Sequence, residues 1–239
     1  MPNKYSSFRV FDFVVKDIKK EQEEEDEVLA KKKKKDNMLF TIQMFGKNEK
    51  GKTCSITATG YAPFFYVKIP DMWTPANKSE FVNFLKEDIL GDYYKDGLLE
   101  CKLVKRKKLY GFDGGRMHKF LVIKFANMRV YYKVRGLFYT KQKKIRVYRG
   151  FQRAPLELYE ANIPPLLRFF HIKEISPSGW ISLSNEHVVH TNTTTCDYEY
   201  EVNYRNIISL PNKETIVPFK ICSFDTVSYT HLTLPTTPY

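Results

Sequence analysis

The sequence has little cysteine, and no pattern in the little it has. Cys54, Cys101, Cys196 and Cys222 lie far apart and form no C-x-x-C pair. That spacing argues against structural zinc and against a disulfide framework, and it reads as reduced thiols in an intracellular protein. No run approaches the roughly 18 apolar residues of a membrane span. Met1 to Tyr5 carry no apolar stretch of the secretory kind. A P-loop needs the spacing G-x-x-x-x-G-K-(S/T), and a dinucleotide site G-x-G-x-x-G. Gly111-Phe112-Asp113-Gly114-Gly115 has the glycines but neither spacing, and reads as a hairpin turn. His187 and His190 are three apart, but no Glu or Cys sits at useful spacing, so a loop or edge strand is the better reading than a metal pair. No Ser-His-Asp or Cys-His arrangement can be argued. The most local shortage is of acid. From Cys101 to Arg153 there are 17 Lys+Arg and a single carboxylate, Asp113, whereas the rest of the chain holds 22 basic and 26 acidic residues. The net charge of +12 therefore arises wholly in that block.

What is present is a chain of 239 residues, 43% hydrophobic and 15% aromatic, long and apolar enough to build a real core. Its basic excess points to a polyanionic partner, nucleic acid or an acidic membrane surface. Within the basic block the cations alternate with aromatics, which favours nucleic acid. Lys and Arg neutralise phosphates, and aromatic faces stack bases whatever their sequence. The candidate contacts are Lys105, Arg106, Lys107, Lys108, Arg129, Tyr131, Lys133, Arg135, Lys143, Lys144 and Arg146.

Periodicity divides the chain into short elements. Residues 6–15, 38–45, 53–60 and 64–69 read as strands of an antiparallel meander. Between the first two lies 16–36, whose 8 basic and 8 acidic residues cancel and read as a charged surface insertion. Asn77, with Glu80 three residues on, caps a predicted helix over 79–90 packed on that sheet and ended by Gly91. Residues 98–110 and 120–125 read as strands. Residues 128–139 fit either a strand or a helix, and 144–148 a strand. Short helices are predicted over 155–161 and 162–172, and strands at 180–183 and 199–208. Val217 to Asp225 ends the series: an apolar run, begun near Pro218, that reads as a buried strand delivering the carboxylate of Asp225.

Several of these stretches, in order, resemble the amino-terminal part of family B DNA polymerases of the delta-like kind found in eukaryotes and large DNA viruses. Gly60 to Val67 is similar to the family's "G-(F/Y)-x-P-Y-F-Y-V" strand. Leu109-Tyr110-Gly111-Phe112, then Phe120 to Asn127, resembles its "YGF … F-x-x-I-x-F-x-N" segment. Tyr159 to Phe169 resembles "YE-(A/S)-N-(I/V)-x-x-x-LRF", and Ser178 to Ile181 the following "GW(I/V)". Val217 to Asp225 is similar to the first exonuclease motif as far as "SFD". The family's Glu, two residues after that Asp, is replaced by Val227.

The resemblance implies an α+β domain of mostly antiparallel sheets, with OB-like and RNA-recognition-like pieces, over residues 1–216. It implies the first strand of a 3′–5′ exonuclease domain over 217–226, with Asp225 as a catalytic metal ligand only in the full-length parent. That parent would be a replicative DNA-directed DNA polymerase with proofreading, a nucleotidyltransferase using Mg²⁺. Its partners would be single-stranded template, primer-template DNA and replication accessory proteins, with no membrane. Its place would be the nucleus or a viral replication compartment. For this chain alone the expectation is no bound metal and no catalysis, since one carboxylate leaves a cation mostly water ligands. Residues 227–237 resemble a translated sequencing adapter, so 227–239 is expected to be a non-native tail. The alternative is a non-enzymatic single-stranded nucleic-acid-binding module.

Overall fold

The structure is a computed structural model that describes residues 5–19, 36–108, 111–138, 156–219 and 222–223. Its strands, in chain order, are β1 (Tyr5–Lys19), β2 (Met38–Lys47), β3 (Thr53–Thr59), β4 (Phe64–Lys68), β5 (Leu98–Lys107), β6 (Met117–Phe125), β7 (Glu157–Tyr159), β8 (Trp180–Ser184), β9 (Val188–His190), β10 (Tyr198–Asn203) and β11 (Ile207–Leu210). The helices are α1 (Pro75–Phe84), continued by a π-helical turn over Leu85–Leu90, then α2 (Gly91–Tyr94), α3 (Met128–Arg135) and α4 (Pro165–Lys173). The fold is α+β, with mostly antiparallel sheets and few helices.

Two sheets divide the strands. The first has the order β11-β8-β1-β2-β3-β10-β9, and β10 against β3 is its parallel pair. Its apolar residues alternate inward as a half-buried strand requires: Phe8 and Val10 on β1, Phe40, Ile42 and Met44 on β2, Cys54, Ile56 and Ala58 on β3. They enclose Phe169 of α4 and Tyr61. Gly46 sits where no side chain fits: a Cβ there would lie 2.3 Å from the Arg9 carbonyl oxygen, beside the bulge between Val10 and Asp12.

The second sheet has the order β5-β6-β4-β7. Its succession β4-α1-β5-β6-α3-β7 is a βαββαβ unit. Alternate residues Phe65 and Val67 on β4, and Leu121, Ile123 and Phe125 on β6, pack with Phe81 of α1 and with Val130, Tyr131 and Val134 of α3. The helices therefore cover one face of this sheet and leave the other without a helix of the unit. All four cysteines are free. Burial pushes the Cys101 thiol up to about 11.

Several local expectations need correcting. β4 belongs to the second sheet, so the first 70 residues are not one meander, and α1 packs on the second sheet as well. Its N-cap is Thr74, not Asn77. Asn77 is the N3 partner of a reciprocal capping box, and Pro75 opens the first turn. Residues 128–135 are helical, with Asn127 accepting from the Val130 N–H. The expected helix over 155–161 is instead the short strand β7, formed by pairing with β4. The strand expected over 199–208 is interrupted by a 3₁₀ turn at Tyr204–Asn206, which sends β11 to the far edge of the sheet.

The closing stretch also differs. Residues 211–219 contain no strand. They run along the first sheet: Trp180 Nε1 donates to the Thr215 carbonyl at 3.1 Å, Lys47 Nζ to that of Pro218 at 3.3 Å, and Phe219 meets Phe11 edge-on at 5.1 Å. Val217 is buried. Lys16 to Lys19 of the expected 16–36 insertion instead extend β1, paired with β2; residues 20–35, Asp225 and the expected tail at 227–239 lie outside the described residues.

Candidate nucleic-acid interface

The structure splits the predicted contact residues into separate groups. Lys105, Arg106 and Lys107 end β5 and are exposed, and Lys108 follows them into the turn. Arg129, Tyr131, Lys133 and Arg135 lie on α3, which begins beyond the opposite end of β6. The eight steps of β6 from Met117 to Phe125 span about 26 Å, so the hairpin turn and the first turn of α3 are not one patch. Tyr131 is not a stacking platform: it is 2% exposed, packs between Phe65 and Phe125, and donates its hydroxyl proton to the Ala161 carbonyl at 2.8 Å. The helix turns it inward with Val130 and Val134. Lys133 lies over the Tyr94 ring at 4.8 Å. Arg135 donates to Asn162 Oδ1. Lys143, Lys144 and Arg146 are outside the described residues.

The face of the second sheet opposite α1 and α3 carries aromatics that were not among the candidates. Phe64 and Tyr66 on β4, Phe120 on β6 and Tyr159 on β7 make a chain of ring contacts at 5.8, 6.3 and 5.2 Å. For Phe64 and Tyr66 the signal was available in their spacing of two along the predicted strand 64–69. The cations of this face are largely answered by acids. Lys124 meets Glu100 at 2.5 Å and Lys68 meets Glu157 at 3.9 Å. Arg168 covers the Phe64 ring at 4.6 Å while paired with Glu160 at 2.5 Å.

Uncompensated positive charge is found instead at the β5–β6 hairpin. No carboxylate among the described residues comes within 4.0 Å of Lys105, Arg106 or Lys107. The described part of the turn, Gly111 to His118, is held by its own contacts. Gly111, Gly114 and Gly115 have φ of 81°, 65° and 75°, values that glycine adopts without strain. Asp113 accepts from the Gly115 N–H at 3.2 Å, meets His118 Nε2 at 2.6 Å and lies 4.0 Å from Lys108. The His118 hydrogen bond holds the Asp113 carboxyl below its usual range. The one acid of the basic block is thus used to brace the turn, and the three cations before it have no carboxylate partner among the described residues.

Among the described residues, no group of three His, Cys, Asp or Glu is placed to hold a metal ion. No helix among the described residues is long and apolar enough to cross a membrane.

Residues 156–235 match the DNA polymerase family B exonuclease domain. The chain is 40% identical over 232 residues to the DNA polymerase of Phaeocystis pouchetii virus, covering 93% of this chain and 22% of the viral protein. It is 27% identical over 195 residues to the DNA polymerase delta catalytic subunit of Schizosaccharomyces pombe, covering 77% of this chain and 17% of the yeast protein. The chain spans about a fifth of the length of these relatives. In fold it is similar to the family B DNA polymerase of the archaeon Pyrobaculum calidifontis, with a TM-score of 0.55 over 89% of this chain and 21% of the archaeal one, at 15% identity.

Proposed function

We propose that this relative of the viral and delta-type family B DNA polymerases is the amino-terminal portion of a replicative, proofreading DNA polymerase, and that it contacts single-stranded template DNA. The observation that carries the contact is the exposed run Lys105, Arg106 and Lys107 at the end of β5, which has no carboxylate partner among the described residues. Phosphate neutralisation is sequence-independent, as a template track requires. The 40% identity to a viral DNA polymerase supports the enzyme class. On this reading residues 1–216 form the domain that lies on the template, 217–226 lead into the exonuclease domain, and 227–239 are not native. Asp225 becomes a metal ligand only beside further carboxylates of the full-length enzyme, where Mg²⁺ would activate water and stabilise the leaving oxygen. The 239-residue chain by itself is catalytically inactive. The full-length enzyme would work on primer-template DNA with replication accessory proteins, in the nucleus or a viral replication compartment.

The experiment is to sequence the source gene past the Asp225 codon and to assay the 239-residue chain for Mg²⁺-dependent trimming of a single strand. The expected gene has Glu two codons after Asp225, followed by further carboxylate motifs, and the chain trims nothing. A genomic stop codon directly after the Tyr239 codon, or measurable trimming, contradicts the proposal.

A further inference from the structure

We propose that the tip of the β5–β6 hairpin is a base-stacking site for single-stranded nucleic acid, with Phe112 as the platform. The inference rests on the single-strand contact proposed above and adds to it a residue and a mode of binding.

Phe112 is 104% exposed, so its ring touches nothing among the described residues. Large aromatics are ordinarily among the most buried side chains. Among the described residues, the ring at this hairpin tip packs on nothing. Nor is it merely displayed on a slack loop. Its neighbours Gly111 and Gly114 have the positive φ that makes the turn, and Asp113 is tied to the Gly115 N–H, to His118 and to Lys108. The ring is therefore carried on a segment, Gly111 to His118, braced through Asp113, which limits the ordering left for a ligand to impose.

The cations at the end of the strand before the turn select the ligand. Lys105, Arg106 and Lys107 precede the turn without carboxylate partners among the described residues. An apolar peptide would bury the ring but leave those charges unanswered. A single strand answers both: its phosphates take the cations and one base takes the ring face. Duplex DNA hides its base faces in the stack, so the site prefers single strands.

The test compares the full chain with its Phe112→Ala and Phe112→Trp variants, titrated against a fluorescein-labelled oligothymidylate. Phe112→Ala should weaken binding roughly tenfold, since a stacked base is worth about that much or more. It should leave the salt slope unchanged, because no phosphate contact is removed. Phe112→Trp should keep the affinity, and its indole fluorescence should be quenched to saturation by unlabelled strand. Both variants should unfold at the wild-type temperature. Suppose Phe112→Ala binds within twofold of wild type while Lys105→Glu with Lys107→Glu abolishes binding. The stacking site is then overturned and the basic contact stands. If neither variant weakens binding, both readings fall.

Discussion

Asn127 Nδ2 donates to Asp36 Oδ2 at 3.0 Å and to the Met38 carbonyl at 2.9 Å, joining the root of β2 in the first sheet to the start of the helix that backs the second. The same side chain accepts from the Val130 N–H at 2.9 Å and so caps α3. Asn127 is 1% exposed, and every one of these groups is therefore paired within the protein.

Asn127→Ala removes an N-cap and leaves the Met38 carbonyl without its donor. The cap and the orphaned acceptor together cost about 2 kcal/mol. Urea unfolding of wild type and variant measures this, and a difference below about 0.5 kcal/mol would mean that the junction carries no weight.

Tyr131→Phe separates a core role from a nucleic-acid role. Loss of the hydroxyl strands the Ala161 carbonyl and should lower stability by about 1 kcal/mol. Affinity for a single strand should not change. Weakened DNA binding at unchanged stability would put Tyr131 in the interface after all.

Glu199 should set part of the acid response. Its carboxylate accepts from the Thr193 N–H at 2.6 Å, from both the Thr191 and Thr193 hydroxyls at 3.2 Å, and from the Thr194 N–H. These bonds, led by that from the Thr193 backbone, hold its pKa down at about 2. A folded pKa below the unfolded value of about 4.3 gives stability that is present above pH 4.3 and fades as pH falls towards 2. Glu199→Gln should be less stable at pH 7 and should lose less stability between pH 5 and 2. Parallel stability–pH curves for the two proteins would contradict this.

Much of the fold is legible in the sequence because the strands are amphipathic with a period of two. What a local pattern does not specify is the sheet a strand joins. Gly60 takes a φ of 76° after β3, and the chain turns there towards a second sheet, yet a glycine alone does not announce where the chain goes. β7 is three residues long and exists because Tyr66 to Lys68 pair with it, so its own sequence was free to suggest a helix. The run Val130-Tyr131-Tyr132 favours strand by propensity, but the Asn127 cap and the burial of one helical face decide otherwise. The basic block was plain from composition. Its division was not, because the acid that answers Lys124, Glu100, comes from the neighbouring strand. The exposure of Phe112 had no sequence signal beyond its place among glycines.

The most direct measurement is the salt dependence of single-strand binding. Affinity of the chain for a labelled 20-nucleotide strand is measured between 50 and 200 mM salt, for wild type and for Lys105→Glu/Arg106→Glu/Lys107→Glu. Wild type should give a straight line of log affinity against log salt, with a slope of about −0.7 for each phosphate neutralised. The triple variant should bind at least tenfold more weakly with a slope shallower by about 2, as three contacts at that slope imply. Equal affinities and equal slopes would contradict a template contact through the β5–β6 hairpin.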